Sequence, residues 1–159
     1  MKKIFPYTAL AAMAVAIDQW VKSLVEARLN MHEQIDLLPF FALFRTYNTG
    51  VAFSMFSWVG DKGLVLVASA VILFVLFLAW RTSSALALTG FALIIGGAVG
   101  NIIDRLAYGH VIDYFLFHTP SWSFAVFNLA DVFISIGAGL VLINEIFGRS
   151  DEPKAGQNL

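Results

Sequence analysis

The sequence predicts an all-α membrane protein, with four transmembrane helices, a small extracytoplasmic β-sheet (cradle) and an interfacial flap segment. Three observations predict it. Hydrophobic residues make up 59% of the chain and charged residues 13%, about half the charged share usual in a soluble protein. Four stretches are apolar over roughly the 20 residues that a helix needs to cross a hydrocarbon core. The four tryptophans, Trp20, Trp58, Trp80 and Trp122, fall at or near predicted helix ends, where an indole buries its ring and keeps its N–H wet.

The first stretch runs from about Ile4 to Trp20. Lys2 and Lys3 before it, with Ala14-Val15-Ala16 inside it, also describe a cleavable signal peptide. The Asp18-Gln19-Trp20 that follows favours a retained helix. The other three stretches run from about Leu64 to Trp80, Ala85 to Ile103 and Phe124 to Phe147.

An inside N-terminus leaves Lys2, Lys3, Arg81, Arg149 and Lys154 in short inner pieces. It puts Lys22, Arg28, Arg45, Lys62 and Arg105 in two longer outer segments. The counts are equal but the inner density is higher, so both termini are expected on the cytoplasmic side.

The outer segment from Val21 to Gly63 is the one sizeable extramembrane piece, β-rich over about residues 30–63. Its alternating, aromatic-rich part from Gln34 to Phe53 reads as short strands. Phe53, Met55, Phe56 and Trp58 then form an apolar run ending at Gly60-Asp61-Lys62-Gly63. That run is either a movable flap in the interface or a greasy loop packed on the helix tops. Residues 1–148 make one polytopic membrane domain, and the polar residues 149–159 a flexible cytoplasmic tail.

Composition removes several classes of function. A net charge of −1 offers no basic surplus for nucleic acid. The absence of cysteine removes disulfides, thiolate nucleophiles and cysteine zinc sites. There is no His-Glu-x-x-His, and His32, His110 and His118 lack helical ligand spacing, which argues against a zinc protease. No Gly-x-Ser-x-Gly occurs, and no lysine lies inside the four predicted spans, which removes the simplest serine routes. Gly96 and Gly100 form a Gly-x-x-x-Gly that reads as helix packing.

Polar side chains inside spans are costly, so each needs a partner or a job. Asp18 lies about 21 Å up the first helix from Ile4, near the outer leaflet. Asn101 and Arg105 share a face at the outer end of the third helix, and Asn128 and Asp131 share one at the start of the fourth. Asp113 lies in the connector between those helices. These six residues therefore reach a similar depth. Asp18 reads as a structural partner of Lys22, one turn on. Asn101 and Arg105 read as a helix cap and a carboxylate partner. Asp104 points about 100° away from Arg105 and reads as a solvated or helix-end charge.

Asp113 and Asp131 are harder to explain by solvation, because Val111-Ile112 precedes one and Leu129-Ala130 the other. Two carboxyls held close in a low dielectric share a proton. Such a pair can take a proton from attacking water and hydrogen-bond a peptide carbonyl. Their spacing permits contact without requiring it.

Five blocks in order carry a resemblance to a known family. They are Asp18-Gln19; Tyr47-Asn48-Thr49-Gly50-Val51-Ala52-Phe53-Ser54; the run Gly96-Gly97-Ala98-Val99-Gly100-Asn101-Ile102-Ile103-Asp104-Arg105; Val111-Ile112-Asp113-Tyr114; and Phe127-Asn128-Leu129-Ala130-Asp131. Together with four spans they resemble the lipoprotein signal peptidase, or signal peptidase II, family across the whole membrane domain.

The resemblance implies a membrane-embedded aspartic endopeptidase of the bacterial inner membrane, with its site near the outer face. Asp113 and Asp131 would be catalytic, and Asn48, Gly50, Asn101, Arg105 and Asn128 would position substrate or the aspartates, with Asp18 supporting the fold. The implied substrate is a prolipoprotein whose cysteine bears diacylglycerol, cut just before that cysteine. Membrane lipids and a cyclic-peptide inhibitor of the globomycin type are the implied partners, with no metal or organic cofactor. Val51, Tyr114 and Val132 depart from the residues common in the family, and Val132 leaves Asp131 without a hydroxyl beside it.

A small proton-coupled transporter is the main rival, but its ionisable groups belong near the midplane. A non-catalytic scaffold would account for the glycines and the aromatic belt, not for converging aspartates.

Overall fold

The computed structural model describes residues 4–50 and 60–147. In chain order these form α1 (Phe5–Arg28), β1 (Gln34–Leu38), β2 (Phe41–Asn48), α2 (Gly60–Arg81), α3 (Ala85–Tyr108), β3 (Val111–Thr119), β4 (Trp122–Ser123) and α4 (Leu129–Phe147). All four helices are long and apolar enough to cross a membrane. The strands form a single antiparallel sheet in the order β1-β2-β3-β4.

α3 is the centre of the bundle, packed on α1, α2 and α4. Its glycines allow this, because side chains there would strike groups on the neighbouring helices. A Cβ on Gly96 would lie 2.8 Å from the Ala11 carbonyl oxygen, and one on Gly100 would lie 2.5 Å from Asp18 Oδ2. Towards α4, a Cβ on Gly90 would lie 2.6 Å from the Gly137 carbonyl oxygen, and one on Gly137 would lie 2.5 Å from that of Gly90. Gly-x-x-x-Gly is therefore a packing contact, and van der Waals closeness replaces the hydrophobic drive that lipid cannot supply. α2 is held by Val75 against Ala87 and Phe91, joined to α3 by a short turn. Ser84 caps α3 by accepting from the Ala87 N–H, and its hydroxyl bonds Asn144 on α4.

The sheet rests on the end of the bundle through Ile112 and Tyr114 of β3, which bury against Val25 of α1. Arg45, on the bulged stretch of β2, donates to the Leu29 carbonyl at 2.8 Å and to Glu26 Oε1 at 3.2 Å. It thereby closes the C-terminus of α1, where unpaired carbonyls favour a cation.

Several boundaries differ from expectation. α1 continues through Val21–Arg28, because Val21 and Val25 pack beneath the sheet and Lys22 pairs with Asp18. Lys22 is thus inside a span, and the expectation of no lysine there is corrected. α4 begins at Leu129, not Phe124: the Phe124 and Phe127 N–H groups donate to the carbonyls of Phe117 and Phe115, so 124–127 is extended. Short strands expected within Gln34–Phe53 are present as β1 and β2, but β3, an inner strand of the sheet, comes from the connector after α3. The Gly60–Gly63 end of the expected flap is the first turn of α2; the rest of that segment and the tail after Arg149 lie outside the described residues.

Candidate active site

Four elements converge at the sheet end of the bundle. β3 supplies Asp113, β2 supplies Asn48, α3 supplies Asn101, and the start of α4 supplies Asn128 and Asp131. Alternation along β3 sends Asp113 to the face opposite Ile112 and Tyr114. In register, Asp113 faces Thr46, which leaves Asn48 diagonal to it on the same side.

The start of α4 is a reciprocal cap. The Asp131 N–H donates to Asn128 Oδ1 at 3.1 Å, and the Asn128 N–H donates to Asp131 Oδ2 at 3.1 Å, satisfying two helix-end donors at once. The Leu129 N–H donates to the Tyr114 hydroxyl at 3.1 Å and the Ala130 N–H to Asp18 Oδ1 at 3.0 Å. Every N–H from Asn128 to Asp131 therefore meets a side chain. A carboxylate in this first turn also gains from the helix dipole.

Asp113 is 2% exposed. Its Oδ1 accepts from Asn128 Nδ2 at 2.6 Å and its Oδ2 from Asn48 Nδ2 at 2.9 Å. Asn128 thus touches Asp113 with its amide and Asp131 with its backbone, holding the two carboxyls together. Burial pushes the Asp113 carboxyl up to about 6, with the negative charge of Asp131 adding to the rise and the bond from Asn48 opposing it. Asp131 Oδ1 in turn accepts from Asn101 Nδ2 at 2.9 Å.

Each amide is oriented by a second bond. Asn48 Oδ1 accepts from the Gly50 N–H at 2.8 Å, which leaves Nδ2 for Asp113. Gly50 is in the left-handed region at φ 85°, which disfavours any residue with a Cβ. Asn101 Oδ1 accepts from Lys22 Nζ at 3.0 Å and Asn128 Nδ2 at 3.2 Å, which leaves its Nδ2 for Asp131.

Beneath the pair lies a buried ion cluster. Lys22 is 2% exposed and sits 2.8 Å from both Asp18 Oδ2 and Asp104 Oδ2, so with Asn101 its three donors are all used. Gln19 Nε2 donates to Asp104 Oδ1 at 2.7 Å. The pairing of Asp18 with Lys22 follows the sequence expectation. Asp104 does not: it is 1% exposed and is the second partner of Lys22, because the 100° turn away from Arg105 aims it at α1. Arg105 pairs with no carboxylate among the described residues. Its Nη1 donates to the Asn101 carbonyl at 3.4 Å and its buried Nε has no partner there.

Sequence reasoning therefore named Asp18, Asn48, Gly50, Asn101, Asp113, Asn128 and Asp131 in places that the structure brings together. It missed Lys22, Asp104 and Tyr114 as parts of the site. The pairing of Lys22 with Asp18, one helical turn before it, was legible, but its place in an outer segment hid its burial and its bond to Asn101. A second groove, of about 650 Å³ between the far ends of α1, α2 and α3, lies at the opposite end of the bundle and shares no residue with the site.

Fold and site together define a polytopic membrane protein with a paired-carboxylate centre at one end of its helix bundle. Residues 10–147 match the family model described as Signal peptidase (SPase) II. The chain is 63% identical over 155 residues to a lipoprotein signal peptidase of Mesorhizobium japonicum, covering 96% of this chain and 92% of that one. It is 59% identical over 138 residues to a lipoprotein signal peptidase of Brucella ovis, covering 86% of each. The chain belongs to the signal peptidase II family and is a membrane peptidase. Two solved bacterial membrane enzyme structures share its fold. One has a TM-score of 0.84 at 21% identity over 98% of this chain and 96% of that one; the other has 0.82 at 22% identity over 92% and 98%.

Proposed function

We propose that the protein is an aspartic endopeptidase that removes the signal peptide from diacylglyceryl-modified prolipoproteins, cutting just before the lipidated cysteine. The observation that carries this reading is the bridge of Asn128, which bonds Asp113 through its amide and Asp131 through its backbone N–H. A pair so held in a buried setting shares a proton.

Of the two carboxyls Asp113 is the one whose burial works towards the neutral form, and we assign it the shared proton, with which it hydrogen-bonds the scissile carbonyl oxygen. Asp131 takes a proton from water as the water oxygen bonds to the carbonyl carbon, and the proton is then delivered to the departing amine. Arg105, whose Nε has no partner among the described residues, is placed to position substrate backbone. A helical substrate unwinds here, since hydrogen-bonded helical backbone resists attack. The site faces the outer side of the inner membrane, where the lipid chains of the substrate stay in the bilayer while its scissile bond rests at the level of the carboxyls.

The test is cleavage of a diacylglyceryl prolipoprotein peptide by the purified protein in lipid, with Asp113→Asn and Asp131→Asn compared against wild type. Each variant loses turnover by at least about 10² to 10⁴ fold while still folding and binding substrate. Near wild-type cleavage by both variants would refute the aspartic mechanism. A transporter reading would be favoured instead if wild type never cleaved.

A further inference from the structure

α1 and α2 both pack on α3 but scarcely on each other. At the end of the bundle opposite the carboxyls the gap between them is a slot of about 650 Å³ floored by α3. Each helix lines it with a stripe at intervals of three, four and seven residues: Ile4 to Ala11 at the start of α1, Leu76 to Ser83 on α2 and the turn after it, and Leu88 to Ile95 on α3. Residues so spaced share one face, so the slot runs along the helix axes. Seven residues advance about 10.5 Å, about two thirds of the roughly 15 Å that one leaflet contributes to a hydrocarbon core. The slot therefore has the direction and depth of a lipid chain. Its mouth is open, with Ile4 61% and Trp80 74% exposed.

Both walls bring positive charge to that mouth. Arg81, exposed at the end of α2, lies 5.8 Å from the Phe77 ring and forms no ion pair among the described residues. Lys2 and Lys3 directly precede Ile4 in the chain. The first turns of α1 and α3 hold no acidic residue, so the positive end of the α3 dipole is uncompensated there and has the same sign as the cations. Of the described acidic residues only Glu145 belongs to this end, on α4, which is not a wall of the slot. Tyr7 and Ser83 add hydroxyls to the lining.

The apolar walls reward any hydrocarbon chain, and the cations select what carries it. A signal-peptide helix enters with a positively charged leading end, which this mouth repels. A lipid with a neutral headgroup gains from the walls alone. We propose that the slot binds an anionic phospholipid, with one acyl chain between α1 and α2 on the α3 floor and the phosphate headgroup at Arg81. The lipid comes from the leaflet opposite the carboxyls, the inner one in the topology proposed above. It supplies the contact that α1 and α2 lack. α2 is the least buried of the four helices and is otherwise held through Val75, Ala87 and Phe91, so the bound lipid braces it. Cations at an inner end also set topology, but that role predicts no selective retention of lipid.

The experiment mixes the purified chain in detergent micelles with phosphatidylglycerol and phosphatidylcholine of identical acyl chains, and counts retained lipid by native mass spectrometry. Two variants at exposed positions accompany wild type: Arg81→Gln removes the cation, and Thr8→Trp fills the slot from α1. Wild type retains one phosphatidylglycerol with a preference over phosphatidylcholine of about tenfold or more. Arg81→Gln lowers that preference by about fivefold, the scale of one cation against an anionic lipid, and Thr8→Trp releases both lipids. Phosphatidylglycerol also raises the unfolding temperature of wild type but not of Thr8→Trp. Should one variant misfold, the other decides by itself. Equal retention of the two lipids by wild type, or a preference that both variants keep, would overturn the proposal. So would an equal rise in unfolding temperature with glycerol phosphate alone, which would make the mouth a phosphate site with no chain. Displacement of the lipid by a synthetic signal-peptide helix, or a dimer that Thr8→Trp dissociates, would give the slot to peptide or to a second copy and overturn it too. None of these readouts depends on cleavage.

Discussion

Asp113→Asn separates the chemistry of the pair from its energetics, because the same burial that suits Asp113 to hold a proton makes its ionised form a burden on the fold. The rise from 3.8 to about 6 corresponds to about 3 kcal/mol at about 1.4 kcal/mol per pH unit. Its sign follows from linkage. The folded protein binds the proton more tightly than the unfolded chain, so this contribution is fully present below about pH 4. It is lost as pH rises through about 6. Asparagine does not titrate, but one of its ends presents an NH₂ group to either Asn48 or Asn128, a mismatch of about 1 to 3 kcal/mol at all pH values. The variant is therefore less stable than wild type at pH 4, and the gap closes or reverses by pH 8, a swing of about 3 kcal/mol. Equilibrium unfolding in mixed micelles at several pH values measures it, with no need for activity. A stability difference that stays constant from pH 4 to pH 8 would refute the claim that burial raises the Asp113 carboxyl.

The cluster beneath the pair and the packing of α3 can be perturbed in the same way. Lys22→Met leaves Asp18 and Asp104 buried without their cation and destabilises the fold by about 3 to 5 kcal/mol; adding Asp104→Asn recovers part of that, read as recovered melting temperature. Tyr114→Phe removes the acceptor for the Leu129 N–H at the start of α4 and lowers stability by about 0.5 to 2 kcal/mol, the range for a lost cap, while cleavage persists. Gly100→Ala places a methyl group 2.5 Å from Asp18 Oδ2, so α1 and α3 separate; turnover falls and unfolding comes earlier, whereas alanine at Gly139, where no described residue lies within 4 Å, leaves turnover unchanged and does not hasten unfolding.

Much of the candidate site was legible because membranes make polar residues informative. With four apolar spans, each Asp and Asn among them stands out as a cost that something must offset, and helical spacing places Asn101 near one helix end and Asn128 with Asp131 near another. Asp104 was misread because sequence spacing reports the direction of a side chain on its own helix and not which neighbour waits there. The N-cap role of Asn128 was masked by Phe124–Phe127, an apolar run that periodicity cannot distinguish from helix and that tertiary pairing with β3 holds extended.

By itself, then, the sequence determined the solvent of this protein, its four crossings and the set of residues able to do acid–base chemistry, since hydropathy and side-chain type are properties of single residues and short windows. Tertiary structure alone decided that Asp113 and Asp131 meet through Asn128, that Lys22 is buried between two aspartates, and that a strand drawn from a connector becomes an inner strand of the sheet. Those outcomes depend on contacts between groups far apart in the chain. The close approach of α1 and α4 to the glycines of α3 sets those contacts, and no local pattern encodes their distance.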